Sequence, residues 1–265
     1  MDRSILPPPL ISNYQPVTMS LTPFQQQRYA RHLTLPEIGA AGQEQLLAAR
    51  VLLIGAGGLG SPAGFYLAAA GIGTLGVMDG DVLEASNLQR QIAHTTADLG
   101  RPKVASAQRA FQALNPDCRV LALAERLTAI NAPRVLADYD FVVDATDNFD
   151  SKFLIADACH VAGKPYSHAG ILAFFGQTMT VLPGRTACYR CLFGAPPEIP
   201  AGPPRGPVGA VPGVIGSIQA LEAIKFITGC GELLTNRLLT FDALKMSFRV
   251  LSTRRNPRCQ LCGRA

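Results

Sequence analysis

The stretch "VLLIGAGGLGS", residues 51–61, joins a short apolar run to a glycine-rich turn. Four apolar residues in succession, ending at glycine, are typical of a strand that is buried on both faces of a parallel sheet. Gly55, Gly57 and Gly60 have the GxGxxG spacing of nucleotide-binding turns. In such turns the first glycine permits the tight bend, and backbone amides at positions such as Gly57 and Gly58 reach a phosphate at the start of a helix. The stretch therefore predicts a strand, a phosphate-binding turn and a helix.

Patterns typical of strands and helices alternate over the next hundred residues. The runs in "TLGVMD", "CRVLAL", "FVVDATDN" and "KPYSHAG" predict further strands, and "RPKVASAQRAFQAL" and "FDSKFLIADACHVAG" have the apolar spacing of helices. This alternation predicts an α/β fold with a Rossmann-like, doubly wound, mostly parallel sheet that binds ligands over the carboxyl ends of its strands. Upstream, Thr22-Pro23 predicts the start of a short helix containing "FQQQRYARH".

The pattern changes after Gly170. The segments "ILAFFGQTMTVLP", "LLTFDA" and "MSFRVLS" alternate as antiparallel strands do, and "GVIGSIQALEAIKFITG" predicts a buried helix that ends on glycine. Antiparallel strands are therefore expected to extend the first sheet. The predicted division is a disordered, proline-rich lead over residues 1–20 and a single domain over 21–265, of which about 21–170 form the nucleotide-binding part.

Composition argues against several classes of protein. The net charge of +5 is mild and the chain has no basic run, so a nucleic-acid surface is not supported. Apolar runs such as 51–54 are short and end in glycine, so no membrane span is expected. Seven cysteines in a chain without a secretory signal predict a cytoplasmic protein in which cysteines have metal or redox roles.

Four cysteines form two close pairs, Cys188 and Cys191 in "CYRC" and Cys259 and Cys262 in "CQLC". Two such pairs complete a tetrahedral zinc shell, and four sulfur ligands leave no open position for chemistry. The predicted site is therefore structural zinc. A redox pair is the alternative, but one pair would suffice for that chemistry, and neither pair is expected to open a helix after a strand. The other cysteines are expected to be small buried hydrophobes: Cys118, Cys159 and Cys230.

Polar residues cluster where strands are predicted to end. Asp79 closes the second strand, where a carboxylate can accept hydrogen bonds from ribose hydroxyls. Asn87 and Arg90 in "SNLQRQ", Lys103 in "RPK" and Asp147 in "DATDN" follow. The diphosphate of a dinucleotide is already partly neutralised by a helix end, whereas a triphosphate carries about four charges and needs further cations. The set therefore favours a nucleoside triphosphate whose phosphates are cleaved.

Each of these residues also has an ordinary structural interpretation. Arg90 could form a surface ion pair, Lys103 could be solvated in a first helical turn, and Asp147 could cap the next helix. Asp79 could be a turn residue, and a glycine turn by itself is commonest in dehydrogenases. An NAD-dependent oxidoreductase therefore remains an alternative on the same fold.

The motifs taken together resemble the ThiF/MoeB/HesA family, bacterial relatives of ubiquitin-activating enzymes, with a layout closest to MoeB. The resemblance covers about Leu21 to Gly263 and depends on "RYARH", "GAGGLGS", "MDGDVLEASNLQRQ", "GRPKV", "NP", "DATDN", "CYRCLF", "GVIGSIQALEAIK" and "RNPRCQLC". It implies a nucleotidyltransferase that uses ATP to adenylate the C-terminal glycine carboxylate of a ubiquitin-like sulfur-carrier protein ending in Gly-Gly. Pyrophosphate is released, ahead of thiocarboxylate formation on a molybdopterin-synthase or thiamine-type carrier. HesA-like activation, or activation of a secondary-metabolite or tRNA-thiolation carrier, is the alternative.

The resemblance also implies roles for individual residues. Those that would bind ATP, from the turn to the ribose and the phosphates, are Gly55, Gly57, Gly58, Gly60, Asp79, Asn87, Arg90 and Lys103. Asp147 would bind Mg²⁺, with Asp81 a weaker candidate beside it, and Arg31 would reach into the site of the partner in a homodimer. The two cysteine pairs match the zinc ligands of the family, and residues 171–265 would bind the carrier and the zinc.

One departure from the family concerns the sulfur chemistry. ThiF, MoeB and several relatives have a cysteine in the loop before the buried helix, but the matching position here falls near Gly202, and no cysteine lies between Cys191 and Cys230. A covalent thioester or persulfide on that loop is therefore not expected. The chain stops soon after Cys262, so sulfur is expected to come from a separate sulfurtransferase.

The implied reaction needs no general base, because a C-terminal carboxylate is ionised at neutral pH. His94 and His168 are therefore expected to be ordinary polar residues. A degenerate adaptor that binds a carrier without activating it is a further alternative, and the presence of Arg90, Lys103 and Asp147 argues against it.

Overall fold

The computed structural model describes residues 21–195 and 206–263, so the predicted disordered lead and the loop position near Gly202 lie outside the described residues. The strands are β1 (Arg50–Ile54), β2 (Thr74–Met78), β3 (Arg119–Leu123), β4 (Phe141–Asp144), β5 (Tyr166–Leu172), β6 (Phe175–Val181), β7 (Arg237–Asp242) and β8 (Ser247–Ser252). The helices are α1 (Pro23–Arg28), α2 (Ala30–Leu33), α3 (Gly39–Ala48), α4 (Gly60–Ala70), α5 (Lys103–Leu114), α6 (Ala132–Ala137), α7 (Phe149–Val161), α8 (Tyr189–Phe193) and α9 (Ala210–Thr228).

The eight strands within residues 21–195 and 206–263 form one sheet in the order β3-β2-β1-β4-β5-β6-β7-β8. Pairings among β1 to β5 are parallel, and β5 to β8 pair antiparallel. The predicted fold class, a doubly wound sheet extended by antiparallel strands, is confirmed. Strand order reverses between β1 and β4, and a crevice at such a reversal is where open α/β sheets bind ligands.

The apolar run that begins the glycine motif is buried on both sides of the sheet. Val51 and Leu53 pack with side chains of α3, α4, α5 and α9 on one face. Leu52 and Ile54 pack with those of α6 and α7 on the other face, in the same core as the paired cysteines. Burying one such side chain contributes about 1.5–3 kcal/mol, so this strand is held in the centre of the sheet by packing from both layers.

The N-terminal helix begins as predicted but is shorter. Thr22 caps α1 with a capping box to Gln25, and Pro23 occupies the first turn. The helical pattern over 24–32 is interrupted at Tyr29, whose ring is buried and whose hydroxyl accepts a hydrogen bond from Asn115 at 2.9 Å. Packing of this ring therefore divides the predicted helix into α1 and α2.

The stretch "ILAFFGQTMTVLP" is not one strand. It contains the end of β5, a two-residue turn at Ala173 and Phe174, and β6, which pairs back on β5. Ala173 has a φ of +53°, a backbone conformation that alanine seldom adopts and that a sequence pattern does not signal.

Helix α9 begins at Ala210, before the predicted start at Gly213, with Pro212 in its first turns. By length and composition it is the one helix in the described part of the chain that could cross a membrane. The short apolar runs in the sequence did not predict a helix of this kind. In the structure 56% of its most apolar window is buried, and it packs against α3, α4 and strands β4 to β6. Its predicted role as a buried core helix is confirmed.

Candidate active site

The glycine turn has the geometry that its spacing predicts. Gly55 has a φ of +101°, and a Cβ there would lie 2.7 Å from the carbonyl oxygen of Ala145. A Cβ on Gly60 would overlap the carbonyl oxygen of Gly55. Gly57 and Gly58 are less crowded and face Gln91 and the Arg90 side chain, respectively. The turn thus brings the end of β1, the start of α4 and the loop after β4 together at the carboxyl edge of the sheet.

Asp79 lies directly after β2 and is joined to the turn. One carboxylate oxygen accepts the backbone N–H of Ala56 at 2.8 Å, and the other accepts the N–H of Asp81 at 2.8 Å. Each oxygen keeps a second lone pair, so the carboxylate can still accept ribose hydroxyls. Its position at a strand end beside the glycine turn is the one expected of a ribose ligand.

Lys103 is neither solvated nor free. Its side chain is 9% exposed, and its Nζ lies 3.0 Å from Asp81, which is 44% exposed. Arg126 donates to the other oxygen of Asp81 at 2.7 Å. Burial raises the pKa of Asp81, but the hydrogen bonds from Lys103 and Arg126 outweigh that effect and lower it. Both oxygens of Asp81, the weaker candidate for a magnesium ligand, are therefore engaged by cations.

Arg126 was not anticipated as part of this edge. It follows β3, the strand next to β2, and its stem lies over Gly80. The rule that parallel strands present their carboxyl ends along one edge could have identified it, because "LALAER" places a cation just after a predicted strand.

The segment "SNLQRQ" crosses the mouth of the glycine turn. The Asn87 side chain accepts the N–H of Glu84 at 3.2 Å, and Arg90 donates to the Ser86 carbonyl at 3.0 Å. In the described part of the chain Arg90 has no acidic partner, so the surface ion pair considered from sequence is not formed. Gln91 is buried, and its Oε1 has no hydrogen-bond partner among the described residues. The segment thus places the Gln91 amide over Gly57 and the aliphatic stem of Arg90 over Gly58.

His94 has a structural position behind the turn. Its Nε2 donates to the Ala56 carbonyl at 2.8 Å, and its Nδ1 is hydrogen-bonded to Ser106 Oγ at 2.7 Å. Burial lowers its pKa, which favours the neutral ring. His94 therefore connects the glycine turn to α5, the helix that begins with Lys103.

Asp147 lies on the loop between β4 and α7, and its side chain is exposed. The residue that caps α7 is Asn148, which accepts the N–H of Ser151 at 2.9 Å, so Asp147 is not the helix cap. The only partner of its carboxylate among the described residues is the Asn148 amide, at 3.5 Å. An exposed carboxylate that is not otherwise engaged, beside the glycine turn, is suited to a metal ion with phosphates.

Arg31 is not part of this edge within one chain. It lies exposed in α2, which packs on α1 and α3, and its guanidinium has no hydrogen bond or ion pair with any residue of 21–195 or 206–263. A role at an active site would require a second copy of the chain.

The four paired cysteines meet on the opposite face of the sheet from α4. Their sulfur atoms all lie within 4.8 Å of one another, and neighbouring Sγ atoms are 3.3–3.6 Å apart. Zinc–sulfur bonds of about 2.3 Å put tetrahedral sulfurs about 3.8 Å apart, so the cluster can bind such a metal. Burial raises the pKa of Cys259, but hydrogen bonds from the backbone of Cys262 and Leu261 outweigh it and lower the value to about 7.

One expectation about these cysteines is wrong. Cys188 is the N-cap of α8, which follows β6, so this pair does open a short helix. The helix is five residues long, and Cys188 faces the second pair across the cluster, which a redox site would not require. Cys118 and Cys159 are buried as predicted, whereas Cys230 is only partly buried.

Sequence comparison with known proteins identifies the family of the chain. The family model described as ThiF family matches residues 29–261. The sulfur carrier protein adenylyltransferase of Thermus thermophilus is 47% identical, over 92% of this chain and 93% of that protein. The SAMP-activating enzyme E1 of Haloferax volcanii is 46% identical, over 93% of this chain and 92% of that protein.

Solved structures give the same result. The crystal structure of E. coli MccB with ATP has a TM-score of 0.76 and 26% identity, and it covers 89% of this chain and 74% of that one. The microcin C7 biosynthetic enzyme MccB in complex with N-formylated MccA has a TM-score of 0.80 and 25% identity, covering 89% and 75%. From Tyr29 to Leu261, this chain therefore belongs to the ThiF family.

Proposed function

We propose that this chain is an adenylyltransferase that activates the C-terminal carboxylate of a small ubiquitin-like sulfur-carrier protein with ATP. The observation that best supports it is the buried Lys103, which is paired with the half-exposed Asp81. The Asp81 backbone is hydrogen-bonded to Asp79, and Asp79 is hydrogen-bonded to Ala56 in the glycine turn. A cation such as Lys103 is not needed for a dinucleotide but matches a triphosphate. The relatives agree, because a protein 47% identical over nearly its whole length is named a sulfur carrier protein adenylyltransferase.

The nucleotide site follows from the edge residues. Backbone amides of the glycine turn bind phosphate at the start of α4, and Asp79 accepts the ribose hydroxyls. Asn87, Arg90 and Lys103 bind the phosphates. Asp147 binds Mg²⁺, which when bound supplies positive charge to the phosphate oxygens. Asp81 serves as the counterion of Lys103.

Little covalent chemistry is required of the protein. The glycine carboxylate of the carrier has a pKa of about 3.3–3.7 and is already a nucleophile at pH 7. It attacks the α-phosphorus of ATP, a bond forms between carboxylate oxygen and phosphorus, and the bond to the pyrophosphate oxygen breaks. Arg90 and Lys103 align the triphosphate and neutralise charge that moves onto the leaving pyrophosphate. The products are an acyl-adenylate and pyrophosphate.

The site is completed by a second copy of the chain. Arg31 is exposed and remote from the edge within one protomer, so a homodimer that places it at the site of the partner would add a third cation. A four-sulfur shell binds Zn²⁺ without an open position, so that metal stabilises the fold and joins α8 to the C-terminal segment. Reduced cysteines of this kind suit the cytoplasm.

The domain is proposed to have two parts. Residues from about 21 to 170 contain the nucleotide edge, and residues from about 171 to 265 contain the antiparallel strands and the zinc ligands and bind the carrier. Thiocarboxylate formation then requires a separate sulfurtransferase. Molybdopterin-synthase and thiamine-type carriers, and carriers of tRNA thiolation or secondary metabolism, share the reactive tail.

ATP–pyrophosphate exchange tests the proposal. Purified protein is mixed with radiolabelled pyrophosphate, ATP, Mg²⁺ and each of a panel of Gly-Gly carriers, and label entering ATP is counted. Exchange is expected with one carrier, and none with the same carrier lacking its final glycine. Stoichiometric NADH binding together with no affinity for ATP would overturn the proposal in favour of an oxidoreductase.

A further inference from the structure

A buried cluster of charged and polar groups lies behind the loop that contains Asp147. Asp144, at the end of β4, is 1% exposed, and one of its oxygens lies 3.4 Å from Lys152 Nζ and 3.1 Å from His168 Nδ1. Lys152 is 5% exposed and His168 is 1% exposed. None of these three side chains can touch a ligand at the sheet edge, and the proposed reaction does not use them.

Lys152 uses all of its donors within this cluster. Besides Asp144, its Nζ donates to the carbonyl oxygens of Thr146 and Ala169, each at 2.6 Å. A lysine has three N–H donors, so the ammonium group is fully satisfied. It therefore joins α7 to β5 and to the loop after β4, and it has no donor left for a ligand.

The loop is tied down on both sides of Asp147. Thr146 donates its backbone N–H and its hydroxyl to Asp144 Oδ1, at 3.1 and 2.6 Å, and its carbonyl accepts from Lys152. On the other side Asn148 caps α7. Asp147, between these two residues, therefore has an exposed carboxylate on a backbone that is held in place on both sides.

We propose that Lys152 is a positioning residue for the magnesium ligand: it fixes Thr146 against Asp144 and so sets the orientation in which Asp147 meets the metal. This assignment rests on the proposed function, which makes Asp147 that ligand. Groups that orient a metal ligand typically change metal affinity by about 10–100-fold when they are removed. A loop that is not fixed in advance must be ordered when the metal binds, which lowers affinity.

The test measures metal-dependent nucleotide binding rather than turnover. Affinity for a non-hydrolysable ATP analogue is determined by calorimetry in EDTA and over a series of Mg²⁺ concentrations, for the wild-type protein and for Lys152→Met. The variant is expected to bind the analogue in EDTA as the wild type does, and to need about 10–100-fold more Mg²⁺ for half of the metal-dependent gain.

Lys164→Met is the matched control. Lys164 also joins backbone carbonyls, those of Ala137 at 2.9 Å and Tyr139 at 2.7 Å, but it does so near the start of β4, at the opposite edge of the sheet. Its loss removes the same kind of interaction, and its Mg²⁺ dependence is expected to equal that of the wild type.

A second variant provides the test if Lys152→Met does not fold. Lys152→Met leaves the buried Asp144 carboxylate without its lysine cation, which is strongly destabilising. The double change Asp144→Asn with Lys152→Met removes both charges together. The double variant is expected to show the same weakened Mg²⁺ dependence. Wild-type Mg²⁺ dependence in either folded variant would overturn the assignment, as would an equal loss of affinity in EDTA, which would make the role structural only. A wild-type protein that binds the analogue equally with and without Mg²⁺ would also overturn the assignment, whereas a wild-type protein that does not bind the analogue in either condition would refute the proposed function itself.

Discussion

Replacement of Lys103 by methionine tests whether this cation binds a phosphate or stabilises the fold. Methionine retains an apolar stem of similar length and a similar helix propensity at the first position of α5. Asp81 is not left alone, because Arg126 still donates to it, and 44% of its side chain is in solvent. The ion pair is therefore screened, and its loss is expected to change the free energy of unfolding by only about 0–1 kcal/mol.

The expected effect on adenylation is much larger. A hydrogen bond to a charged group contributes about 1.5–3 kcal/mol, which corresponds to a roughly 10- to 150-fold fall in kcat/KM for ATP. The measurements are ATP–pyrophosphate exchange kinetics and urea unfolding of the same preparations. Unchanged exchange, or a loss of stability as large as the loss in activation free energy, would refute the argument that Lys103 is there for the triphosphate.

Lys225→Met is the comparison for this experiment. In the last turns of α9, Lys225 pairs with Glu222, which is 1% exposed. Glu222 also accepts hydrogen bonds from the Thr180 hydroxyl and the Leu234 N–H. Removing Lys225 leaves a buried carboxylate without its cation, so stability is expected to fall by more than in Lys103→Met, while kcat/KM for ATP stays close to wild type.

Three further outcomes are expected. In Gly60→Ala the added Cβ overlaps the Gly55 carbonyl, so α4 must shift. A displacement of about 1 Å can lower a rate about 100-fold, and kcat/KM for ATP should fall by about that factor. Retention of full exchange activity would contradict this. Zinc removal, by chelation or Cys188→Ser, should lower the melting temperature in scanning calorimetry, with metal content followed by mass spectrometry, and an unchanged melting curve in metal-free protein would argue against a structural role. Arg31→Ala and Asp147→Asn should each be inactive in exchange. An equal mixture of the two after subunit exchange should recover about a quarter of wild-type activity, because half of the dimers contain both variants and each of these has one intact site of two. No recovery would place Arg31 outside the partner's site.

The fold was predictable where local pattern and packing agree. Apolar runs, a glycine turn and helical spacing identified each strand of the parallel half of the sheet. The bounds were less exact, because the strand predicted from "FVVDATDN" ends at Asp144. Helix α3 was not predicted, because its buried side includes Gly42 and Gln43, so no apolar stripe marks it. The β5–β6 hairpin was missed because its turn uses Ala173 in a left-handed conformation instead of the glycine or asparagine that normally signals a turn.

The candidate site was predictable as a set of residues but not as a set of contacts. Strand ends placed Asp79, Lys103 and Asp147 on one edge from sequence alone. The pairing of Lys103 with Asp81, 22 residues away, depends on the bend of the intervening loop, and no periodicity encodes it. Arg126 was missed because the residues after β3 have no motif, although its place just after a parallel strand puts it on the same edge as its partner Asp81.

The burial of the acidic partner distinguishes a lysine that can bind a ligand from a lysine that only positions a loop. Lys103 and Lys152 are both largely buried, and each lies beside an aspartate. The partner of Lys103 is half exposed and has a second cation, so Asp81 loses little when the lysine turns toward a phosphate. The partner of Lys152 is 1% exposed, and Lys152, together with His168, lowers its pKa to about 2 even though burial raises it. Withdrawing that ammonium would leave a buried carboxylate without its cation, at a cost of about 3–5 kcal/mol. Lys103 can therefore exchange its partner for a ligand, whereas Lys152 is confined to holding the loop.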